Sequence, residues 1–472
     1  MNLTVKNVGP LNDVSIKLNK LTVLCGNNNS GKTYLIYALY SILTYIRNKG
    51  INVFTEQDKE VFCNTGKCSL KVEEIAEAYA NIFKNDFHEK FSEVLAKDLA
   101  IAKSKTANSV VELSLEKSKK EIIGELISSA SRDLKGRYTN DIRLRISHEQ
   151  NNEFVVCEFL PQQTLDSQGA SPLFPLQPSV FEAVEWLFPI FIQRFLLKPF
   201  VITCERNGIA MFGDELRMFY AFLFEASHIE YDKFQELKKK LDFKGYPLPI
   251  RRELEFSINL KNVQNRVGAL AHNAAIIQSL SDLTGGHYSV QQDVSGSVSF
   301  SPKEDSSRSL VISECSSSVR SLVEINYYIR HMSGKNDLLI IDEPELDLHP
   351  SLQRKFARLL VKIVNAGTQV FIATHSDYIA REINTLISAY STNNKIRERN
   401  ATVLNCNLDE LISPDDVSCY VISSESLMRM DMRPGFGYPI KSFDDNIQAF
   451  NESYMGLRES IMHDEEEQGE NQ

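Results

Sequence analysis

The first 45 residues carry the clearest hydrophobic pattern in the chain. Residues 14–18 alternate between apolar and polar side chains, which predicts a strand with one exposed face. Residues 21–25 are mostly apolar, as a strand buried on both faces requires. A segment rich in glycine and asparagine follows, and the apolar residues 34–45 then predict a helix. The expected order is therefore strand, strand, glycine-containing loop, helix.

The remaining pattern divides the chain into further regions. The composition between 71 and 284 is mainly typical of helices, with an alternating hairpin pattern near 141–160. No heptad repeat persists within this region for long enough to form a coiled coil, and beyond 285 strand and helix patterns alternate. The acidic C-terminal end predicts disorder. The regions expected on this basis are 1–70, 71–284, 285–400, a small C-terminal region 401–462 and the tail 463–472.

Composition and charge restrict the class of protein. With 43% hydrophobic and 24% charged residues in 472, the chain is typical of a globular protein of two or three domains. Its net charge of −10 argues against a uniformly basic surface for nucleic acid, although a local basic groove stays open. The eight cysteines are dispersed, and no membrane span or signal peptide pattern is present. A cytoplasmic protein with reduced thiols and no membrane partner is expected.

A phosphate-binding motif follows the second apolar strand. Residues 26–33 fit the pattern G-x-x-x-x-G-K-[ST], in which backbone N–H groups and a helix N-terminus surround phosphate oxygens. The lysine would reach the β- and γ-phosphates of ATP, and the final hydroxyl would bind Mg²⁺. The predicted ATP-binding residues are Gly26, Asn27, Asn28, Asn29, Ser30, Gly31, Lys32 and Thr33.

Two later apolar strands end in polar residues. Residues 338–341 lead into Asp342 and Glu343, and residues 370–373 lead towards His375. Ligands of parallel sheets lie at the carboxyl ends of strands. Asp342 is therefore predicted to hold Mg²⁺ with Thr33, and Glu343 to act as the general base on water. His375 either contacts the γ-phosphate or the attacking water, or has a structural role.

These motifs together resemble the ABC-type ATPases of the SMC, RecF and OLD kind. The resemblance covers most of residues 1–45 and 285–395. It implies an α/β fold in which an ABC-type ATPase head, with a mixed and parallel sheet, carries a mainly helical insertion. The head would then consist of 1–70, with the phosphate loop, and 285–400, with the remaining motifs.

The resemblance also implies a site that is shared between two copies. Ser316 takes the place of the signature serine that binds the γ-phosphate of the opposite subunit, and Ser317 and Ser318 stand where glycines are usual. Asp347 and His349 fall in the D-loop at the dimer interface. Two heads would enclose two ATP molecules. Ser316 could instead be an ordinary helix N-cap, and His349 could cap a turn.

Two functions fit this pattern. The insert segments 201–208 and 246–251 resemble those of stand-alone bacterial ATPases that control an effector in phage defence, as in the Septu and PARIS systems. No pattern of a Toprim nuclease domain follows His375. The alternative is a DNA-repair ATPase of the RecF kind. The expected partners are a second copy and an effector protein from the same operon, with nucleic acid left open at the basic clusters 117–120, 238–240 and 251–252. Arg206 either touches nucleotide or a partner, or forms a surface ion pair.

Overall fold

The computed structural model contains both strands and helices in the parts of the chain that it describes. These parts are residues 1–49, 54–81, 87–114, 121, 123, 132–135, 143–149, 153–160, 196–213, 215, 245–291, 297–305, 307–423, 426–433, 437–439 and 451–458. The acidic tail 463–472 and the basic clusters 117–120 and 238–240 lie outside the described residues.

The strands of the described ranges belong to four sheets. In chain order they are β1 (Asn2–Val8), β2 (Leu11–Lys17), β3 (Leu21–Gly26), β4 (Lys67–Lys71), β5 (Val110–Ser114), β6 (Arg132–Lys135), β7 (Arg143–Glu149), β8 (Phe154–Leu160), β9 (Lys198–Ile202), β10 (Gly286–Val290), β11 (Val298–Pro302), β12 (Leu310–Val311), β13 (Asp337–Asp342), β14 (Gln369–Thr374), β15 (Val417–Ile422) and β16 (Leu427–Arg429).

Four of the described helices directly follow strands of the central sheet, namely those after β3, β9, β13 and β14. In chain order the helices are α1 (Lys32–Lys49), α2 (Glu56–Thr65), α3 (Val72–Asn81), α4 (Phe87–Asp98), α5 (Arg206–Met211), α6 (Leu248–Ile258), α7 (Leu260–Val263), α8 (Ala274–Thr284), α9 (Ser317–Ser321), α10 (Val323–Tyr327), α11 (Pro350–Asn365), α12 (Asp377–Ser388) and α13 (Asn394–Val403). A π-helical turn, Tyr328–Met332, follows α10.

The central sheet has six strands in the order β16-β15-β3-β14-β13-β9. The five strands from β15 to β9 are mutually parallel, and only β16 pairs antiparallel at the edge. The carboxyl ends of β3, β13 and β14 therefore lie side by side at one edge of the sheet. This arrangement confirms the predicted α/β fold class with a mixed and parallel sheet.

Alternating residues of β13 enter two different cores. Leu338 and Ile340 pack with α1 on one face of the sheet. Leu339 and Ile341 pack with α11 and α12 on the other face. A strand covered on both faces needs an uninterrupted apolar run, and this run ends where Asp342 reaches the edge of the sheet.

The other three sheets in the described part of the chain are smaller and antiparallel. The order in the first is β2-β1-β5, in the second β10-β11-β12 and in the third β4-β8-β7-β6. The hairpin predicted near 141–160 is confirmed, since β7 and β8 pair from Glu149–Phe154 outwards. The strand predicted at 14–18 and the helix predicted at 34–45 are also confirmed, as β2 and α1.

The expectation of helix fails at several strands within 71–284. β5 pairs with β1, residue Lys6 opposite Val110, and completes the first antiparallel sheet. β9 pairs with β13, residue Lys198 opposite Asp337, and forms the edge of the central sheet. Both segments become strands by pairing with partners that lie far away in the sequence. Local composition alone does not reveal such partners.

Candidate functional site

The phosphate loop connects the end of β3 to the start of α1. Asn29 and Gly31 adopt left-handed backbone conformations, with φ of 63° and 96°, so that the loop can turn tightly into the helix. A Cβ atom on Gly31 would lie 2.6 Å from Cδ2 of Leu11 in β2. The first N–H groups of α1 have no partner within the helix, and they make its N-terminus suitable for an anion.

The side chain of Lys32 folds back onto the phosphate loop. Its ammonium group donates hydrogen bonds to the carbonyl oxygens of Gly26, at 2.9 Å, and Asn27, at 2.8 Å. The side chain is only 6% exposed. The loop backbone thus holds a positive charge at the position where the motif requires a contact to phosphate.

A direct hydrogen bond joins the phosphate loop to the end of β13. The hydroxyl of Thr33 donates to Oδ2 of Asp342 at 2.8 Å. Asp342 is 1% exposed, and its Oδ1 is buried with no hydrogen-bond partner among the described residues. Burial raises the pKa of Asp342 to about 7, the Thr33 hydrogen bond opposes this, and the charge of Glu343 adds to it.

This pair fits the requirements of Mg²⁺. A hydroxyl and a carboxylate supply two of the oxygen ligands that this ion prefers, and nucleotide phosphates and water commonly supply the others. The unpartnered oxygen of Asp342 is the strongest indication, because a buried carboxylate oxygen without a donor is costly unless a cation binds it. No group of three or more His, Cys, Asp or Glu side chains in the described parts is placed to hold a metal by itself.

His375 lies between two glutamates at the ends of β13 and β14. Its Nδ1 is 3.5 Å from Oε1 of Glu343 and 3.2 Å from Oε1 of Glu345. Glu345 also accepts the backbone N–H of His375, at 2.7 Å, and the hydroxyl of Thr374, at 2.7 Å. The buried Glu345 therefore fixes the end of β14, and with it the position of His375.

No motif in the sequence marks Glu345 as a residue of the site. Its only signal was a second acid two residues after Glu343, in the segment Glu343-Pro344-Glu345. Glu343 itself has a positive φ of 51° and donates its N–H to the carbonyl of Ala373 at 2.9 Å. The backbone turns sharply at this residue, directly beyond the strand.

Arg206 reaches the same strand end from α5. Its guanidinium donates to the carbonyl oxygens of Asp342, at 3.0 Å, and Glu343, at 2.6 Å. A third bond goes to the carbonyl of Thr203 at 2.9 Å. Arg206 is 2% exposed, so the interpretation of this residue as a surface ion pair is wrong. In these contacts the arginine binds main-chain oxygens only, and it leaves the carboxylates of Asp342 and Glu343 available for other ligands.

The predicted signature segment begins at α9. Ser316 is the residue before the helix, and its hydroxyl makes no capping bond to the helix backbone. Its Oγ lies 3.0 Å from Oγ of Ser318, and Ser317 is the first helical residue. The side chain of Ser316 therefore does not cap the helix, as the N-cap interpretation required. Ser316 is exposed, which a contact to a second copy requires.

The two predicted D-loop residues differ in their surroundings. His349 caps α11, because its Nδ1 accepts the N–H of Ser351 at 3.3 Å. Asp347 has a positive φ of 59° and accepts a hydrogen bond from Nδ2 of Asn207 at 2.5 Å. His349 thus has the capping role that was one of its two predicted roles. Asp347 contacts the helix that carries Arg206.

The basic pair at 251–252 is neutralised within the chain. Arg251 lies 3.6 Å from Asp98, and Arg252 lies 2.7 Å from Glu255. These contacts leave little net positive charge for a nucleic-acid groove there. All eight cysteines have free thiols. Within the described ranges, no helix has the length and apolar character needed to cross a bilayer.

Several known proteins are similar to this chain in sequence or in structure. The Old nuclease of Escherichia phage P2 is 31% identical over 120 residues, which are 23% of this chain and 19% of that protein. The chain thus spans about a fifth of that relative. The SMC head domain from Thermotoga maritima matches 81% of this chain and 90% of its own, at 12% identity and a TM-score of 0.26.

The Smc head domain of Pyrococcus furiosus, with an extended coiled coil and bound to the C-terminal domain of ScpA, matches 96% of this chain and 98% of its own. The identity is 12% and the TM-score 0.31. The model of the AAA ATPase domain family matches residues 1–159 and 226–380, which include the phosphate loop and the ends of β13 and β14. The chain belongs to the AAA ATPase domain family of P-loop ATPases.

Proposed function

We propose that this protein binds ATP together with Mg²⁺ and hydrolyses it as an ABC-type switch. The hydrogen bond of 2.8 Å between Thr33 and Asp342 carries the proposal. It places a phosphate-loop hydroxyl against a buried strand-end carboxylate, which is the pair that P-loop NTPases use to hold the ion. Mg²⁺, when bound there, would neutralise charge on the β- and γ-phosphates.

The neighbouring side chains have separate tasks in this proposal. Lys32 and the N-terminus of α1 bind phosphate oxygens. Glu343 accepts a proton from the attacking water at its carboxylate. His375 lies beside Glu343, at 3.5 Å, where it can orient the water or the γ-phosphate. Glu345 does not touch the reactants and holds His375 in position.

The replacement Glu343→Gln tests the hydrolytic assignment. The amide cannot take the proton, so turnover should fall by about 100-fold or more, while ATP still binds. Glu398→Gln, an exposed change on α13, is the matched control and should hydrolyse like the wild type. ATP binding is measured by calorimetry and turnover by phosphate release. Undiminished hydrolysis by Glu343→Gln would refute the role of this residue.

The proposal extends to a dimer in which Ser316 binds the nucleotide of the second copy. The exposed hydroxyl and the helix that follows it support this arrangement. The ATP-loaded Glu343→Gln protein should then dimerise, as seen by light scattering. Addition of Ser316→Arg should abolish the dimer and retain ATP binding. A dimer that survives this change would contradict the shared site.

We further propose that the switch controls a partner effector, such as a nuclease or toxin, in phage defence. The resemblance of its insert segments to those of the Septu and PARIS ATPases supports this. Purification from the native operon, followed by mass spectrometry, tests the proposal. A stoichiometric effector would support it. A chain that is purified alone, and whose Glu343→Gln variant binds DNA ends only with ATP, would favour the RecF-like repair function instead.

A further inference from the structure

One amide side chain joins the predicted signature helix to the predicted D-loop. Oδ1 of Asn207, in α5, accepts a hydrogen bond from Nε of Arg320, in α9, at 2.7 Å. Nδ2 of the same residue donates to Asp347 at 2.5 Å. Arg320 also donates to the carbonyl of Cys315 at 2.5 Å, directly before Ser316. Hydrogen bonds thus connect the backbone directly before Ser316 to the side chain of Asp347.

The chemistry of the three side chains explains why an amide is required. An arginine offers only donors, and an ionised aspartate offers only acceptors. A residue between them must accept from one and donate to the other. Asparagine does both, whereas an aspartate at 207 could serve only Arg320 and a lysine only Asp347.

The neighbour of Asn207 in the same short helix holds the catalytic strand end. Arg206 binds the carbonyl oxygens of Asp342 and Glu343, at 3.0 and 2.6 Å. Asn207 and Arg206 are adjacent residues at the start of α5. A displacement of α9 or of the D-loop that moves Asn207 therefore also moves the guanidinium that fixes the backbone of Glu343.

We propose that Arg206 and Asn207 are a positioning pair that couples the signature helix to Glu343 of the same copy. Engagement of Ser316 with the nucleotide of a second copy moves α9, and the pair passes this change to the general base in its own site. The inference rests on the proposed function and assigns its regulation to the hydrolytic site. Neither residue touches a reactant, and the effect is on the placement of Glu343.

A reversal of the hydrogen bond tests the coupling. Asn207→Asp retains the acceptor for Arg320 but places two carboxylates together at 207 and 347. The double variant Asn207→Asp with Asp347→Asn restores the contact, because the new amide at 347 donates to the new carboxylate at 207. Asn265→Asp, an exposed change of the same charge, is the control.

We expect Asn207→Asp to lower kcat by about 10-fold, within the range of ordinary coupling energies, and to bring the Hill coefficient for ATP towards one. ATP affinity should change little, and the double variant should recover most of the kcat. If thermal melting shows that Asn207→Asp is unfolded, Asn207→Ala, which removes both bonds without a charge, should show the same loss of kcat and cooperativity.

Wild-type kcat and cooperativity in Asn207→Asp, or a double variant no better than the single one, would overturn the coupling. A failure of the proposed function has a different signature. In that case Glu343→Gln and wild type would hydrolyse ATP at the same rate. The positioning pair alone fails if Glu343→Gln is inactive and the variants at 207 behave like the wild type.

Discussion

The charge of Asp342 should destabilise the nucleotide-free protein. One of its oxygens accepts from Thr33, and the other is buried without a hydrogen-bond partner in the described part of the chain. Burial raises its pKa from an ordinary 3.8 to about 7. Since one pKa unit corresponds to about 1.4 kcal/mol, a shift of about three units costs the folded state about 4 kcal/mol when the group is ionised.

The sign of the pH dependence follows from the raised pKa. The folded protein binds the proton more tightly than the unfolded chain, so this group's contribution to stability is greatest below about pH 4. It decreases as the pH rises through about 7, and it is constant above that value. Asp342→Asn removes the charge and retains an oxygen for the Thr33 hydroxyl. The variant should therefore be more stable than the wild type by up to about 4 kcal/mol at pH 8, and by little at pH 4.

Urea unfolding of both proteins at pH 5 and pH 8, without Mg²⁺ or nucleotide, measures this difference. Other titrating groups are common to the two proteins and cancel in the comparison. Asp431→Asn, at an exposed position, should show almost no difference at either pH. Added Mg²⁺ and ATP should stabilise the wild type more than Asp342→Asn, because only the carboxylate binds the ion well. A stability difference that is equal at both pH values would refute the reasoning.

Three further changes test other parts of the structure. Gly31→Ala should weaken ATP binding by at least about 10-fold in calorimetry, because φ is 96° and a Cβ has no room; unchanged affinity would contradict the loop geometry. Glu382→Ala should lower the free energy of unfolding by about 2 kcal/mol in urea, since Arg354 and Arg358 each lose a carboxylate partner at 2.6 Å while Arg358 keeps Glu410 at 3.4 Å; an unchanged free energy of unfolding would contradict this. Glu324→Gln should reduce the loss of stability between pH 5 and 8, because burial raises the pKa of both Glu324 and Glu253, and a pH profile equal to that of the wild type would contradict the raised pKa of Glu324.

The parts of the site that could be predicted are those encoded in contiguous sequence. The phosphate loop is eight consecutive residues, and its fold follows from Gly31, Lys32 and the flanking strand and helix. The strand ends at Asp342 and His375 were recognisable because each follows an uninterrupted apolar run. The rule that parallel strands present their carboxyl ends at one edge then predicted that these residues meet. The structure brings them together at the ends of β3, β13 and β14.

The contacts that hold these residues in place could not be predicted from the sequence in the same way. Arg206 donates to main-chain carbonyl oxygens, at 2.6 to 3.0 Å, and any residue at 342 or 343 would offer the same acceptors. No residue type therefore marks the partner of this arginine in the sequence. Glu345 accepts a hydrogen bond from the side chain of Thr374, but the two residues meet only when β13 and β14 are adjacent in the sheet. The residues predicted to react are thus marked by local motifs. The contacts that position them depend on strand order, which is why the hydrogen bonds of Arg206, Asn207 and Glu345 emerge only from the folded chain.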